Sequence, residues 1–564
     1  LAACAAPATS DTAADPAGTA RSASTARANA PLEAALQRAL EHPGAAPGRP
    51  LAHEAALLRE TYAGRAAPLW LVGGRLSPQG TALIAEIDGA ATQGHDPRDL
   101  GAPRIDAARA ALAGTPAATP ATLAAVDLAL TRGALRLVSE LHYGRVDPRA
   151  AGFEMPRRQH RLDVAATVAA LANAGNVAAA IAAVEPPFYH YRLLVRALAK
   201  YRALAAIADL THLPRLPKRA LRAGDEYAGA AALRRRLLAV GDLAEGAATP
   251  PGEADRIGPT LVAALERFQQ RHGLTPDGVL GPHTAAALTT PIAHRVRQIE
   301  LTLERFRWLP PFTAPPIIVN IPQFRLFALA NASDRTAGML QMAVIVGQAY
   351  PKKRTPVFTG ELKEVVFRPY WNVPRDIVVH EILPAIARHP HYLARNHFEL
   401  VRGPSDDSPV VAPTRAALAA LAAGRLRLRQ RPGDDNALGL VKFIFPNAHD
   451  VFMHGTPAQA LFAQSRRAFS HGCIRVADPV ALARYVLRRG PGTWDDARIL
   501  AAMHGADNVH LTLPQPIPVM ILYGTALATE AGPIDFFDDL YGQDRKLAAL
   551  LERGVTAPHT PVQR

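Results

Sequence analysis

Residues 315–329, PPIIVNIPQFRLFAL, change the rhythm of the chain. Before Pro310 the apolar residues recur at helical spacing, and from here on they alternate, which is the period of a strand with one face buried. The same reading applies to MLQMAVIVGQAY (339–350), to RLRLRQ (425–430), and to VKFIF (441–445) and DVFMH (450–454), which are joined through 446–450. Closely spaced strands with turn residues between them predict a mainly β unit over 311–530. Within it, PAIARHPHYLARNHFEL (384–400) and TRAALAALAAG (414–424) predict a helical insertion at 384–425, placed as a lid over a site would be.

Upstream, stretches such as TLAAVDLALTRGALRLVSEL (122–141) and YRLLVRALAKYRALAAI (191–207) predict a helical scaffold over 31–250, punctuated by VGGRLSPQG (72–80), HYGRVDPRAAG (142–152) and VEPPFYHY (184–191). Residues 251–290 form a compact helical unit. Leu261, Leu265 and Phe268 share a helix face, Gly273 ends that helix, Asp277-Gly278 turns the chain, and a second helix starts near Thr284. A connecting helix is expected over 291–310, and 531–564 is left as a C-terminal tail. The fold class is therefore multidomain α+β.

At 564 residues the chain is long enough for two to four domains. It holds no apolar run long enough to span a membrane as a helix. The net charge of +14 is spread along the chain and attracts polyanions or carboxylate-rich polymers in general, although an alanine- and arginine-rich compositional bias would produce it as well. No zinc finger, RNP-like aromatic motif or groove-entering basic helix is present, so nucleic acid is not expected as a partner. The chain opens LAAC and not with methionine, which predicts a trimmed leader. Leu1 to Cys4 resemble the lipobox of bacterial lipoproteins. Cys4 is then the expected lipidation site and a membrane tether, with 5–30 as a disordered linker.

Only two cysteines occur, too few for a disulfide framework. With Cys4 occupied, Cys473 keeps a free thiol even in an oxidising compartment. It lies in SHGCIRV (470–476), before a helix marked by Asp478 as N-cap, Pro479 at N1 and Gly490 as stop. Gly472 has no side chain, so a carbonyl substrate can approach the backbone N–H groups of Gly472 and Cys473, which are suited to hold an oxyanion. A free thiol yields only about a few per cent thiolate at neutral pH, so a base is needed. His454 ends the strand DVFMH and is the expected base. His471, two residues from the thiol, is expected to supply backbone geometry and a substrate contact. Arg475 pairs with either a structural carboxylate or a substrate's, and Tyr370, Trp371 and Asn372 line a donor channel or pack in a core. A different class, a zinc hydrolase using His449, His454, His471 and Cys473, has no common ligand spacing to support it, and neither metal nor cofactor is expected.

HGTP (454–457) and SHGCIRV together closely resemble the HG...SxGC[IV]R signature of L,D-transpeptidases with a YkuD-type catalytic domain. RPYWNVP (368–374), RQRPGDDNALGLVKFIFPN (429–447) and PVMILYGT (518–525) are similar to the large periplasmic branch of that family. ALERFQQRHGLTPDGVLGPHTAAAL (264–288) resembles peptidoglycan-binding domains of type 1. The resemblance implies a nucleophile at Cys473, a base at His454, an oxyanion hole around His471, Gly472 and Cys473, and loop or substrate support from Ser470 and Arg475. It also implies a periplasmic enzyme of cell-wall organisation and cell shape. Its partners would be peptidoglycan stem peptides and glycan, with carbapenem-type β-lactams as covalent inhibitors. The implied reaction cleaves the diaminopimelate–D-alanine amide of a stem and builds a 3→3 cross-link. A same-site hydrolase, an enzyme that attaches a lipoprotein to the wall and a non-catalytic wall-binding protein are the alternatives.

Overall fold

The computed structural model describes residues 30–554 apart from 43–52, 66, 115–117, 156–161, 209, 211, 215, 217–218, 247–250, 336, 351–352, 491 and 531. Cys4 and the expected linker lie outside the described residues. None of the described helices is long and apolar enough to cross a membrane.

The scaffold is helical, as its periodicity predicts. Its longest helix, α1 (Pro120–Tyr143), starts with the Thr119 side chain accepting from the Thr122 N–H and is buried from Val126 to Leu141. Its polar residue Asp127 survives burial because its carboxylate takes the Trp70 and Leu69 N–H groups at 2.7 and 3.0 Å and the Tyr62 hydroxyl at 2.5 Å. Helix α2 (Tyr189–Ala205) follows.

In the next unit α3 (Pro259–Arg271) buries Leu261, Leu265 and Phe268, and α4 (Pro282–Thr289) follows the turn. Gly278 has φ +65, which suits a glycine. The buried Gln269 amide organises that turn. It donates to Asp277, Thr284 and the Val279 carbonyl, and accepts the Gly278 N–H at 2.8 Å. The unit also recruits the chain before 251: Leu221 bridges Leu280 and the Tyr227 N–H donates to the Asp255 carbonyl.

Helix α5 (Ile292–Trp308) runs between scaffold and β unit as a strut. Its fully buried Glu304 takes the Arg145 N–H, the Val146 N–H at 3.0 Å and the Arg307 guanidinium at 3.2 Å. Arg305 reaches Asp544 at 2.6 Å. Asp544 belongs to α8 (Gln543–Glu552), so the stretch expected as a tail is packed against the strut. The physical reason is this buried pair together with Leu547, 0% exposed.

The β unit contains β1 (Ile317–Asn320), β2 (Arg325–Ala328), β3 (Leu340–Gly347), β4 (Phe358–Phe367), β9 (Val441–Ile444), β10 (Met453–His454), β11 (Ala468–Ser470), β12 (Ile474–Val476) and β13 (Val509–Leu522). They form one nine-stranded sheet in the order β11-β3-β12-β10-β9-β4-β13-β1-β2, and β2 also pairs with β3, so the sheet closes on itself. Alternation sorts the side chains. Val319, Leu326, Val344, Phe443, Met453 and Ile474 point inward and are 0% exposed. Their neighbours Lys442, His454 and Arg475 point outward, so the outer face carries the polar residues.

The insertion is wider than expected and only partly helical. Strands β5 (Trp371–Asn372), β6 (Phe398–Val401), β7 (Val410–Val411) and β8 (Arg427–Gln430) form a second sheet in the order β5-β8-β6-β7. Helix α6 (Arg415–Ala422) and the helical segments over 375–395 complete it around its own core of Val378, Leu400, Leu421 and Leu428. The histidine- and alanine-rich composition hid strands β6 and β7, whose pairing is long-range. Helix α7 (Pro479–Leu487) begins as expected, with Asp478 accepting the Ala481 N–H at 2.9 Å.

Candidate active site

Strands β10 and β12 lie side by side and parallel, with His454 opposite Arg475. On the other side of β10, Lys442 of β9 stands opposite His454. Lys442, His454 and Arg475 therefore form one row across the outer face. Cys473 comes two residues before Arg475, on the same alternation, and the following Ile474 N–H bonds the Phe452 carbonyl at 3.0 Å. The thiol and the imidazole that sequence pairs are on one face of one sheet. Their strands are neighbours because a parallel pair needs the crossover that 455–473 provides.

His454 is 3% exposed. Its Nδ1–H donates to the Gly455 carbonyl at 2.5 Å, which fixes the tautomer and leaves Nε2 as an acceptor. Burial, then the Arg475 charge, pulls its pKa down to about 3, so it is a neutral imidazole at pH 7. The half-buried Cys473 thiol is pushed up by burial, against the pull of the Phe452 backbone and the Lys442 and Arg475 charges. Its S–H points to the Asp450 carbonyl at 3.7 Å. The resting site thus holds a neutral thiol and a neutral imidazole in place of a preformed ion pair.

The loop is held from several directions. The buried Ser470 hydroxyl donates to the Cys473 carbonyl at 2.6 Å and accepts the Gly472 N–H at 3.1 Å. That second bond occupies one of the two N–H groups expected to hold an oxyanion, because Ser470 reaches it first. Gly472 has φ +129, a conformation for glycine. Thr355 donates to the Gly472 carbonyl at 2.7 Å and accepts the Gly347 N–H at 2.8 Å. Tyr541 donates to the Gly347 carbonyl at 2.6 Å and accepts the Thr355 N–H at 3.2 Å. Sequence reading missed both braces, since nothing local marks a threonine or tyrosine as a support for a loop far along the chain.

His471 turns away from the thiol. Its Nε2 meets Glu381 at 2.6 Å and Lys353 Nζ at 2.9 Å. Glu381 lies in the insertion, so this contact pins the insertion to the loop. Burial opposes its charge, but His471 and Lys353 hold its carboxyl below the usual value. The four-residue zinc set does not assemble. His449 meets Glu154 of the scaffold at 3.1 Å, and no metal-holding group of three forms among the described residues.

Tyr370, Trp371 and Asn372 sit in the insertion. Arg429 covers the Tyr370 ring at 4.3 Å, Trp371 packs against Phe398 at 6.1 Å, and Asn372 donates to the Pro404 carbonyl at 3.2 Å. These are contacts of the insertion's own sheet. Arg475 has no carboxylate within ion-pair distance among the described residues, and its Nε is buried without a hydrogen-bond partner.

Residues 315–504, which carry this row and loop, match the L,D-transpeptidase catalytic domain, the YkuD family. This unit is similar to L,D-transpeptidase catalytic domains. Residues 227–288 match a family provisionally described as a peptidoglycan binding domain, and 56–198 match a scaffold domain. The former match starts before 251, in keeping with the bridges from Leu221 and Tyr227. A Haemophilus influenzae protein provisionally named L,D-transpeptidase is 29% identical over 252 residues, which is 44% of this chain and 49% of that protein. The matched stretch spans about half the length of this relative. In the stretch that matches this family the outward row and the 470–476 loop are the chemically equipped face.

Proposed function

We propose that the protein is a cysteine-dependent L,D-transpeptidase, with Cys473 as nucleophile and His454 as base. The observation that carries this is the register of β10 and β12, which sets His454 opposite Arg475 with the half-buried Cys473 two residues before it on the same alternation. In the first half-reaction the sulfur forms a bond to the diaminopimelate carbonyl carbon as its proton passes to His454 Nε2. That proton then goes to the amide nitrogen as the C–N bond breaks, and D-alanine leaves. A thioester remains. In the second half the side-chain amine of another stem attacks, its proton returns through His454 to sulfur, and a 3→3 cross-link forms. The Cys473 N–H is the oxyanion donor, and Ser470 aligns it through the Cys473 carbonyl. The peptidoglycan-binding match supports wall glycan as partner and a periplasmic setting, and Cys4 is the proposed lipid attachment.

Incubation with a carbapenem, read by intact mass, is expected to add one acyl group to the wild-type chain and none to Cys473→Ala. An adduct retained in that variant overturns the assignment. Purified tetrapeptide muropeptides are expected to give dimers, whereas tripeptide monomers alone would indicate a hydrolase.

A further inference from the structure

One side-chain amide orders the turn that reaches the thiol. Asn447, half-buried between β9 and β10, clasps Val451 from both sides: its Oδ1 accepts the Val451 N–H at 3.2 Å and its Nδ2 donates to the Val451 carbonyl at 2.7 Å. The same Oδ1 accepts the His449 N–H at 3.0 Å, and the same Nδ2 donates to the Phe445 carbonyl at 2.6 Å, so both ends of the turn are tied to it. In a trans peptide the N–H and the C=O point in opposite directions. Holding the Val451 N–H therefore turns the Asp450 carbonyl the other way, and holding the Val451 carbonyl does the same to the Phe452 N–H. Both meet Cys473. The S–H donates to the Asp450 carbonyl at 3.7 Å, and the Phe452 N–H favours the ionised sulfur. Asp450 has φ +52, a left-handed conformation unfavourable for a residue with a side chain, and the bonds to Asn447 hold it there.

We propose that Asn447 is a positioning residue for the nucleophile, setting the Asp450 carbonyl and the Phe452 N–H as a two-point hold on the Cys473 sulfur. The carbonyl serves the thiol and the N–H serves the thiolate, so the sulfur ionises without leaving its place. An S–H is a weak donor, whereas an N–H to an ionised acceptor makes a strong bond, so the net effect of the hold is to favour the thiolate. This rests on the functional proposal above for what the thiolate attacks, while the hold itself is a property of the turn. The charged and titratable groups around the sulfur are Lys442 of β9, His454 of β10, Arg475 of β12 and the Asp450 carboxylate. Asn447 carries no charge, so its effect is separable from theirs.

The test uses the full chain with Cys4→Ser, so that Cys473 is the single thiol, and follows alkylation by the neutral probe iodoacetamide against pH, which reports the thiolate fraction. Asn447→Ala is expected to raise the midpoint by about one pH unit and to slow alkylation below it about tenfold, with the high-pH plateau kept, as loss of one hydrogen bond to a charged group implies. A role confined to stability would leave the midpoint where it is. The paired exchange of Asn447→Asp with Asp450→Asn keeps both N–H acceptors and the net charge but removes the donor to the Val451 carbonyl. It is expected to show the same upward shift, and it carries the test should Asn447→Ala not fold. Asp450→Asn alone is expected not to raise the midpoint, since it removes a charge that opposes ionisation. A midpoint that stays at the parent's value in Asn447→Ala or in the paired exchange, or a rate reduced equally at every pH, overturns the proposal. Should the midpoint depend on Asn447 while a carbapenem adds no acyl group to the parent, the hold stands and the transpeptidase assignment fails. Acylation by the carbapenem with a midpoint indifferent to Asn447 gives the reverse.

Discussion

The strut α5 and the row on the outer face place their cations differently, buried in the first and half-buried in the second. In the strut Arg307 has Glu304 at 3.2 Å and Arg305 has Asp544 at 2.6 Å. In the neighbouring helical unit Arg271 has Asp242. In the row, Lys442 and Arg475 have no such partner among the described residues. Burial alone does not demand a counter-charge: Arg295 of the same strut is buried and donates to the Gln298 side-chain oxygen at 2.7 Å, whereas Lys442 and Arg475 are only half-buried. The difference separates a region held together by buried ion pairs from a half-buried row near the proposed nucleophile.

The largest effect that would break this comparison is at His454. His454→Gln is expected to lower carbapenem acylation by about 10²- to 10⁴-fold, the range for loss of a general base. A drop below about tenfold would remove the imidazole from the chemistry. The same residue sets an acid limit on stability. Its folded pKa of about 3 lies below the ordinary histidine value, so between about pH 3 and 6.5 the unfolded chain binds the additional proton and stability falls as pH falls. Chemical denaturation of the parent at pH 7 and pH 4 should show a loss that is smaller in His454→Gln.

Next comes the strut. Glu304→Gln leaves Arg145 and Arg307 buried without an anion and is expected to cost about 3–5 kcal/mol of stability, measured by chemical denaturation. Acylation per folded molecule should stay close to the parent's, and a selective loss of acylation would merge the two regions that the comparison keeps apart. Smallest is Tyr541→Phe, which leaves the Gly347 carbonyl and the Thr355 N–H short of a partner. An expected cost of about 1–3 kcal/mol comes with a several-fold slower acylation, because Thr355 braces the Gly472 carbonyl. Unchanged acylation would show that the 470–476 loop holds its shape without α8 and the turn before it.

Strong local signals were legible. The strand alternation within 315–329, the cap at Asp478 and the Leu261, Leu265 and Phe268 face follow from periodicity and capping alone, which are properties of neighbouring residues. The thiol and its histidine were legible because their types are rare and chemically distinctive. Less legible were β6 and β7 inside an alanine- and histidine-rich insertion. The same holds for α8, expected as a tail, whose place depends on Asp544 meeting Arg305 from far along the chain.

Sequence by itself determined the helical and alternating halves and the resemblance to a family, and it put forward the candidate thiol and imidazole, because each is written in residue type and spacing. Tertiary structure alone decided that the thiol rests neutral against the Asp450 carbonyl, that Ser470 takes the Gly472 N–H, that His471 serves the insertion through Glu381, and that Lys442 and Arg475 flank His454 in one row. Burial, register and the absence or presence of a partner across strands set those outcomes. They are quantities of the packed chain, which no single stretch of sequence contains.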